Sequence, residues 1–422
     1  MKRTHLIAAL IVAVGGMTAA QGKGWQARPE VVAQAAKQQP RFNYDESRVE
    51  SYTLPDPLAQ KNSTVKSALM WPPRRAEILD LFRTNVYGRS PGKPESVAFA
   101  VVEENPKAMD GASTLRRVAI TSRQGAKTHR FELTLFLPNK RPGAAPVFLL
   151  INNRPPSNTD PTRKEKSGFW PAEQVIARGY GIGAFHYAEL APDEAKTYRD
   201  GVMKFYDESG STPYTWGALA AWGWGASRAM DYLETDPRVD KAHVAVVGHS
   251  RGGKAALWAG AEDERFAMVV SNDSGEGGAA LSRRNFGETI ERINTSFPHW
   301  FTTTYKTFNA RVAQLPVDQH MLLSLVAPRA LYVASADEDL WADPRGEFLS
   351  LAASSPVFAL WGDTPIRPAD MPAVDAPLIV GRRGYHIRTG GHNLTPYDWE
   401  RYADFADRVW KAPTARASSE KR

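Results

Sequence analysis

Cysteine is absent from this 422-residue chain. That excludes a thiol nucleophile, a thiolate metal site and any disulfide, and leaves stability to a packed core. Histidines number nine, and no His-x-x-x-His or Glu-x-x-His pair falls at helical spacing, so the sequence offers no metal-binding helix. No basic run is interleaved with aromatic residues in the manner of a nucleic-acid surface, although the formal net charge is +7. The excess lies partly at the two termini and reads as a solvated surface, able to attract acidic polymers at long range. No apolar stretch approaches the roughly 20 residues that cross a bilayer. Neither nucleic acid nor membrane is therefore an expected partner.

What remains is an ordinary globular composition, 42% hydrophobic and 23% charged. Residues 1–20 stand apart. Lys2 and Arg3 precede the apolar run 6–14, and 15–20 is rich in small residues, the pattern of an export signal cleaved after Ala20. The mature protein is expected to be exported, periplasmic or secreted, and monomeric. Residues 21–67 are polar, proline-containing and weakly periodic, and read as an extended lead-in lying over a catalytic domain at 68–410. Residues 411–422 read as a frayed polar tail.

Within the catalytic span, 76–87 has helical spacing, and 96–102, 115–121 and 129–137 alternate like strands of an antiparallel meander. Residues 146–152 form a continuous apolar run, as in a parallel strand covered on both faces, and 181–185 read likewise. A long helix is expected at 216–233, further parallel strands at 244–247, 267–271 and 330–335, and a closing helix at 398–409. This is an α/β order: a three-layer sandwich whose central sheet is mostly parallel with an antiparallel N-terminal portion. The Gly-x-Gly at 179–183 lacks the following glycine-bearing helix of a dinucleotide site. No cofactor and no metal is expected.

The strand 244–247 runs into Gly248-His249-Ser250-Arg251-Gly252, and a helix is expected at 254–261. A serine at the apex of a strand-turn-helix, with glycine two positions to either side, is the nucleophile elbow of an α/β-hydrolase. The turn strains the serine backbone and leaves no room for a Cβ at the flanking positions. It also lifts Oγ beside the N–H groups of a helix N-terminus, which can hold an oxyanion. A serine needs a base, and the base needs an acid, in the chain order serine, acid, histidine. His392, in a glycine-rich loop before the last helix, is favoured over His386, which reads as part of a strand. For the acid two positions stay open: Asp273, after the strand that follows the elbow helix, and Asp339, after the next strand. Asp337 and Glu338 beside it read as solvated neighbours.

Gly-His-Ser-Arg-Gly-Gly-Lys at 248–254, Asn-Asp-Ser-Gly-Glu-Gly-Gly at 272–278, Asn-Phe-Gly-Glu at 285–288, Trp-Ala-Asp-Pro at 341–344 and Gly-His-Asn at 391–393 resemble the glucuronoyl esterases of carbohydrate esterase family 15. The resemblance covers most of 46–410. It implies a serine esterase that cleaves the ester between 4-O-methyl-D-glucuronic acid of glucuronoxylan and lignin alcohols. It implies Ser250 as nucleophile, His392 as base, and Arg251 as oxyanion stabiliser through its N–H and its guanidinium. The family places an acid at position 273, often a glutamate. Here an aspartate is shorter by roughly 1.5 Å, and bacterial-type members use an acid at the Asp339 position instead or in addition. Lys254, Glu288 and Trp341 match uronate-binding residues, and His186 is a softer match near the pocket. Another carbohydrate esterase of this fold, such as an acetyl xylan esterase, is the nearest alternative. A catalytically silent carbohydrate-binding protein is a more distant one.

Overall fold

The computed structural model describes residues 24–61, 63–206 and 216–411. The expected export signal at 1–20 and all but the first residue of the expected tail lie outside the described residues.

Strands β1 (Ala59–Gln60) and β2 (Ser63–Thr64) form a small antiparallel pair in the lead-in. The remaining strands build one ten-stranded sheet: β3 (Ser96–Ala108), β4 (Ser113–Gln124), β5 (Lys127–Pro138), β6 (Ala145–Asn152), β7 (Gly181–His186), β8 (Val239–His249), β9 (Met268–Asn272), β10 (Ala330–Ala336), β11 (Leu378–Val380) and β12 (Arg383–Arg388). Their spatial order is β11-β12-β10-β9-β8-β6-β7-β5-β4-β3. The meander β3-β4-β5 joins β7 antiparallel, the run β7-β6-β8-β9-β10-β12 is parallel throughout, and β11 closes the edge antiparallel.

Side-chain alternation explains the three layers. Val147, Leu149 and Ile151 of β6 enter one core, and Phe148 and Leu150 enter the other. Val244 and Val246 of β8 likewise face the first core, while Ala245 and Val247 face the second. A strand with apolar residues at every position is thus buried on both faces. Helices Trp71–Asn85, Ala218–Leu233 and Arg251–Glu262 cover the first face, and helices Ala172–Ala177 and Pro396–Lys411 cover the second.

Three elements differ from expectation. The lead-in is not extended throughout: Pro29–Gln38 is a helix, begun by proline at its first position, and Val31, Val32 and Ala35 pack on the core. The helix expected from 76 starts at Trp71, because the following Pro72 and Pro73 lie in its first turn, where no intrahelical N–H is needed. The meander strands run to 12 or 13 residues. Cross-strand ion pairs such as Arg116–Glu104 and Arg117–Glu103 prolong pairing beyond the apolar positions.

The chain runs from β6 outward to β7, then returns to lay β8 on the other side of β6. That reversal opens a crevice at the carboxyl ends of the strands, the place where α/β sheets bind ligands. Ser250 follows β8, Asp273 follows β9, Asp337 and Asp339 follow β10, and His392 follows β12. The tight elbow rests on Gly248, where a Cβ would stand 1.9 Å from the Gly252 carbonyl oxygen. At Gly252 the expected collision is milder, since a Cβ would stand 3.0 Å from the Ile151 carbonyl. Gly248→Ala should therefore cost about 3 kcal/mol or more and Gly252→Ala about 1 kcal/mol. Chemical denaturation of the two variants checks this order, and equal losses would contradict it.

Candidate active site

Ser250 sits at φ 56° and ψ −126°, a left-handed backbone that a residue with a Cβ adopts only under strain. Its N–H donates to the Asn272 carbonyl at 2.8 Å, and its own carbonyl accepts from Gly253 at 2.9 Å and Lys254 at 3.1 Å. The elbow is thereby held on both sides. Arg251 opens the helix, so its N–H has no acceptor earlier in that helix and is free for an anion. The Ser250 hydroxyl closes no hydrogen bond within the described residues; such bonds commonly tighten only with substrate in place.

His392 Nδ1 donates to Asp339 Oδ2 at 2.6 Å, which leaves Nε2 as the ring's acceptor. The ring centroid lies 4.5 Å from that of His249, the residue immediately before Ser250. His392 thus stands over the elbow. Asp273 takes a different partner: its Oδ2 accepts from Arg388 Nη2 at 3.4 Å, while its buried Oδ1 has no hydrogen-bond partner among the described residues. Burial, and then the nearby charge of Asp339, push the Asp273 carboxyl well above the usual carboxylate range. Asp273, Asp339 and His392 each bring one donor atom to within 4.8 Å of the others, the number of ligands a small metal site uses. The 2.6 Å separation between His392 and Asp339 is that of a hydrogen bond, with a proton between them.

His386 occupies β12 and is fully buried, its Nε2 on Asp398 at 2.8 Å and its Nδ1 on the Tyr332 hydroxyl at 3.0 Å. Asp337 accepts from the Gly390 N–H at 2.8 Å, and Glu338 pairs with Arg28 at 2.6 Å. Both therefore have partners rather than water alone.

Two groups fix His249 in one state. An arginine only donates, so Nε2 of His249 must accept from Arg154 Nη2 at 3.2 Å. Its proton then lies on Nδ1 and is donated to Asn272 Oδ1 at 2.6 Å, while Asn272 Nδ2 donates to Asp398 at 3.1 Å. Burial, followed by the field of His392, holds the His249 ring well below the usual imidazole range, hence neutral.

The Arg251 guanidinium is fixed in place. It pairs with Asp193 and lies over the rings of Trp300, 4.8 Å to the centroid, and Phe297, 5.3 Å. Asp193 also accepts from His299 Nε2 at 2.8 Å, Trp300 Nε1 at 2.7 Å and the Tyr187 hydroxyl at 3.1 Å. Burial opposes its charge, but the His299 bond and Arg251 prevail and hold the carboxyl at about 2.

Lys254 is buried one helical turn after Ser250, its ammonium on the Ser274 carbonyl and 4.0 Å from Glu288 Oε2. Burial lowers the ammonium and raises the Glu288 carboxyl, and each partner's charge opposes the other's shift. Glu288 and Trp341 are joined through the backbone, Glu288 N–H donating to the Trp341 carbonyl at 3.0 Å. Lys254, Glu288 and Trp341 are therefore brought together. His186 is not drawn into this group: it ends β7, its ring packs on Tyr187 at 5.2 Å, and no hydrogen bond among the described residues joins it to Ser250, Lys254 or Glu288.

Sequence reasoning missed Asp193, Arg154 and Arg388. Asp193 lies in a loop with no spacing to mark it; the one available clue was that a fixed guanidinium beside an elbow requires a buried counter-ion. Arg388 ends β12, where the histidine loop begins. Its guanidinium donates to the carbonyls of Thr389, Gly391 and Asn393 and to Asp398.

Comparison with known proteins gives a consistent set of relatives. The sequence profile described as "Glucuronyl esterase, fungi" matches residues 120–362, more than half of the chain. Carbohydrate esterase MZ0003, from an unknown prokaryotic organism, is 39% identical over 96% of this chain and 98% of its own. The 4-O-methyl-glucuronoyl methylesterase of Podospora anserina is 32% identical over 68% of this chain, which spans 56% of that protein's length. Among solved structures, a glucuronoyl esterase from Solibacter usitatus superposes with a TM-score of 0.81 at 41% identity, covering 86% of this chain and all of that one. A family 15 glucuronoyl esterase from Teredinibacter turnerae superposes at 0.76 with 29% identity, covering 90% of this chain and 99% of that one.

The depressed Asp193 carboxyl makes a signed prediction. Its stabilisation is present above the unfolded-state value and lost as pH falls through about 2. Asp193→Asn should therefore lag the parent by about 2 kcal/mol above pH ~5, and the gap should close toward pH ~2. Denaturant titrations across that range check it; a gap that widens on acidification contradicts it.

Proposed function

The chain belongs to the glucuronoyl esterases of carbohydrate esterase family 15, and from that premise we propose that it hydrolyses the ester between 4-O-methyl-D-glucuronoyl groups of glucuronoxylan and lignin alcohols with Ser250 as nucleophile. In this reading Ser250 Oγ attacks the C6 carbonyl carbon while His392 Nε2 takes its proton. Asp339, on Nδ1, keeps that tautomer and stabilises the imidazolium that forms. The carbonyl oxygen becomes anionic beside the Arg251 N–H and guanidinium, which Asp193 and Trp300 hold in place before reaction begins. Collapse breaks the bond to the alcohol oxygen, which leaves with the proton from His392. Water then attacks the acyl-enzyme, gives its proton to His392, and glucuronate departs as Ser250 recovers its own.

Lys254, with two ammonium donors left, and Glu288, an acceptor, suit the fixed hydroxyls of a pyranose, and Trp341 offers an apolar face with an N–H at its edge. His186, at the carboxyl end of β7, makes no hydrogen bond to these groups among the described residues and in this reading lies at the edge of the pocket. Asp273 serves in this reading as a hydrogen-bond acceptor for Arg388 rather than as the partner of the base. One observation supports the assignment above all others: the 2.6 Å bond between His392 and Asp339, on a ring set against the residue that precedes the strained serine. In this reading residues 1–20 are a cleaved export signal and the mature enzyme works in the periplasm or outside the cell; a monomer suffices, since every residue given a role lies in one chain. No described helix is long and apolar enough to cross a membrane.

Ser250→Ala should abolish turnover of benzyl glucuronate, and retained hydrolysis would reject the assignment. Asp339→Asn should lower kcat by roughly 10³- to 10⁴-fold, because the amide can donate to Nδ1, holding the wrong tautomer, and cannot stabilise the imidazolium, whereas Asp273→Asn should cost about tenfold. Steady-state kinetics of the two single variants decide between the acids; the reverse order would hand the role to Asp273.

A further inference from the structure

Three segments from distant parts of the sequence meet beside Lys254: the lead-in at 42–46, the loop 284–288 that ends in Glu288, and the turn 339–345 that carries Trp341. Backbone hydrogen bonds lace them in series. Gly287 N–H donates to the Asn43 carbonyl at 2.9 Å, and Glu288 N–H donates to the Trp341 carbonyl at 3.0 Å. Side chains repeat the pattern. Phe42 stands edge-to-face with Trp341, ring centroids 4.9 Å apart at 88°, and Tyr44 meets Phe286 at 6.1 Å and 84°. Ion pairs and carbonyl bonds fasten the flanks: Arg284 to Glu46 at 2.8 Å, Arg28 to Glu338 at 2.6 Å, and Arg345 to the Trp25 carbonyl.

An edge-to-face partner fixes the plane of an indole. The orientation in which Trp341 meets a sugar is therefore set by Phe42, a residue outside the sheet-bearing part of the chain. Tyr44 is 4% exposed, and no hydrogen bond to its hydroxyl is formed among the described residues. That hydroxyl is pushed up to about 12, first by burial and then by the fields of Asp339 and Glu288, so it stands within electrostatic reach of both carboxylates. It remains a protonated donor at neutral pH, in a neighbourhood otherwise rich in acceptors.

We propose that Phe42–Tyr44 form a wall of the uronate site, Phe42 positioning Trp341 and the Tyr44 hydroxyl donating to an oxygen of the bound sugar. The proposal rests on the esterase reading above. It makes the lead-in part of substrate recognition rather than a cover for the domain.

The test uses the full-length chain and two esters: benzyl glucuronate, and p-nitrophenyl acetate, which carries no sugar. In Phe42→Ala the ratio of kcat/KM on the first to kcat/KM on the second should fall about tenfold, with the loss in KM rather than kcat. Phe42→Tyr, which keeps the aromatic edge, should return the ratio to within about twofold of the parent. Tyr44→Phe, which keeps the packing, should lower the ratio about fivefold. Ratios within about twofold of the parent in both Phe42→Ala and Tyr44→Phe overturn the proposal. So does a loss in Phe42→Ala that falls equally on the two esters, since that reports damage to the fold as a whole. The parent's own rate on benzyl glucuronate, measured in the same series, judges the esterase reading separately.

Discussion

The catalytic edge depends on one buried cation. Arg388, the last residue of β12, spends its guanidinium on the carbonyls of Thr389, Gly391 and Asn393, on Asp398 and on Asp273. The carbonyls of 391 and 393 bracket His392, so Arg388 ties both flanks of the imidazole to the sheet, while Asp337 on the Gly390 N–H and Asp375 on the Thr389 N–H hold the start of the loop. A glycine-rich segment such as Thr389-Gly390-Gly391 has little conformational preference of its own. Its order comes from these bonds, and a charged donor forms stronger ones than a neutral amide or hydroxyl.

That clamp also accounts for the company of buried acids around it. Asp273 and Asp398 lie against Arg388, and Asp339 lies against His392. Glu347 accepts from Ser274 and Gly275 N–H groups and from the Ser335 hydroxyl, yet burial still pushes it up to about 7. Farther along the same loop, Glu276, on the Tyr305 and Ser282 hydroxyls and near Glu288 rather than Arg388, is pushed up to about 8, again chiefly by burial. Several carboxyls this close cannot all carry charge cheaply in a poorly solvated place. The arrangement spends stability to fix a reactive geometry, as strained and charged active sites generally do.

The parallel strands and the elbow could be read from sequence because their signals are local. Val244 to Val247 precede a glycine-flanked serine, and the apolar run in β6 has one structural use. The acid could not be chosen that way, because Asp273 and Asp339 both end strands whose loops converge, and only distance separates them. Asp193 and the Arg154–His249–Asn272–Asp398 chain were invisible for the same reason: their meaning lies in contacts between residues far apart in the sequence. The lead-in misled through its composition. Its helix Pro29–Gln38 only half-buries Val31, Val32 and Ala35 on the core, a stripe confined to ten residues within an otherwise polar segment, and its aromatic residues gain their role only beside Trp341.

The two neighbouring loops after β9 and β10 each seat a carboxylate within a few ångströms of one imidazole. A sheet built this way holds a spare socket. The supporting anion can therefore move from one strand end to the next by side-chain changes alone, with no change in the path of the backbone. The same backbone can thus seat the acid at either of two neighbouring loops.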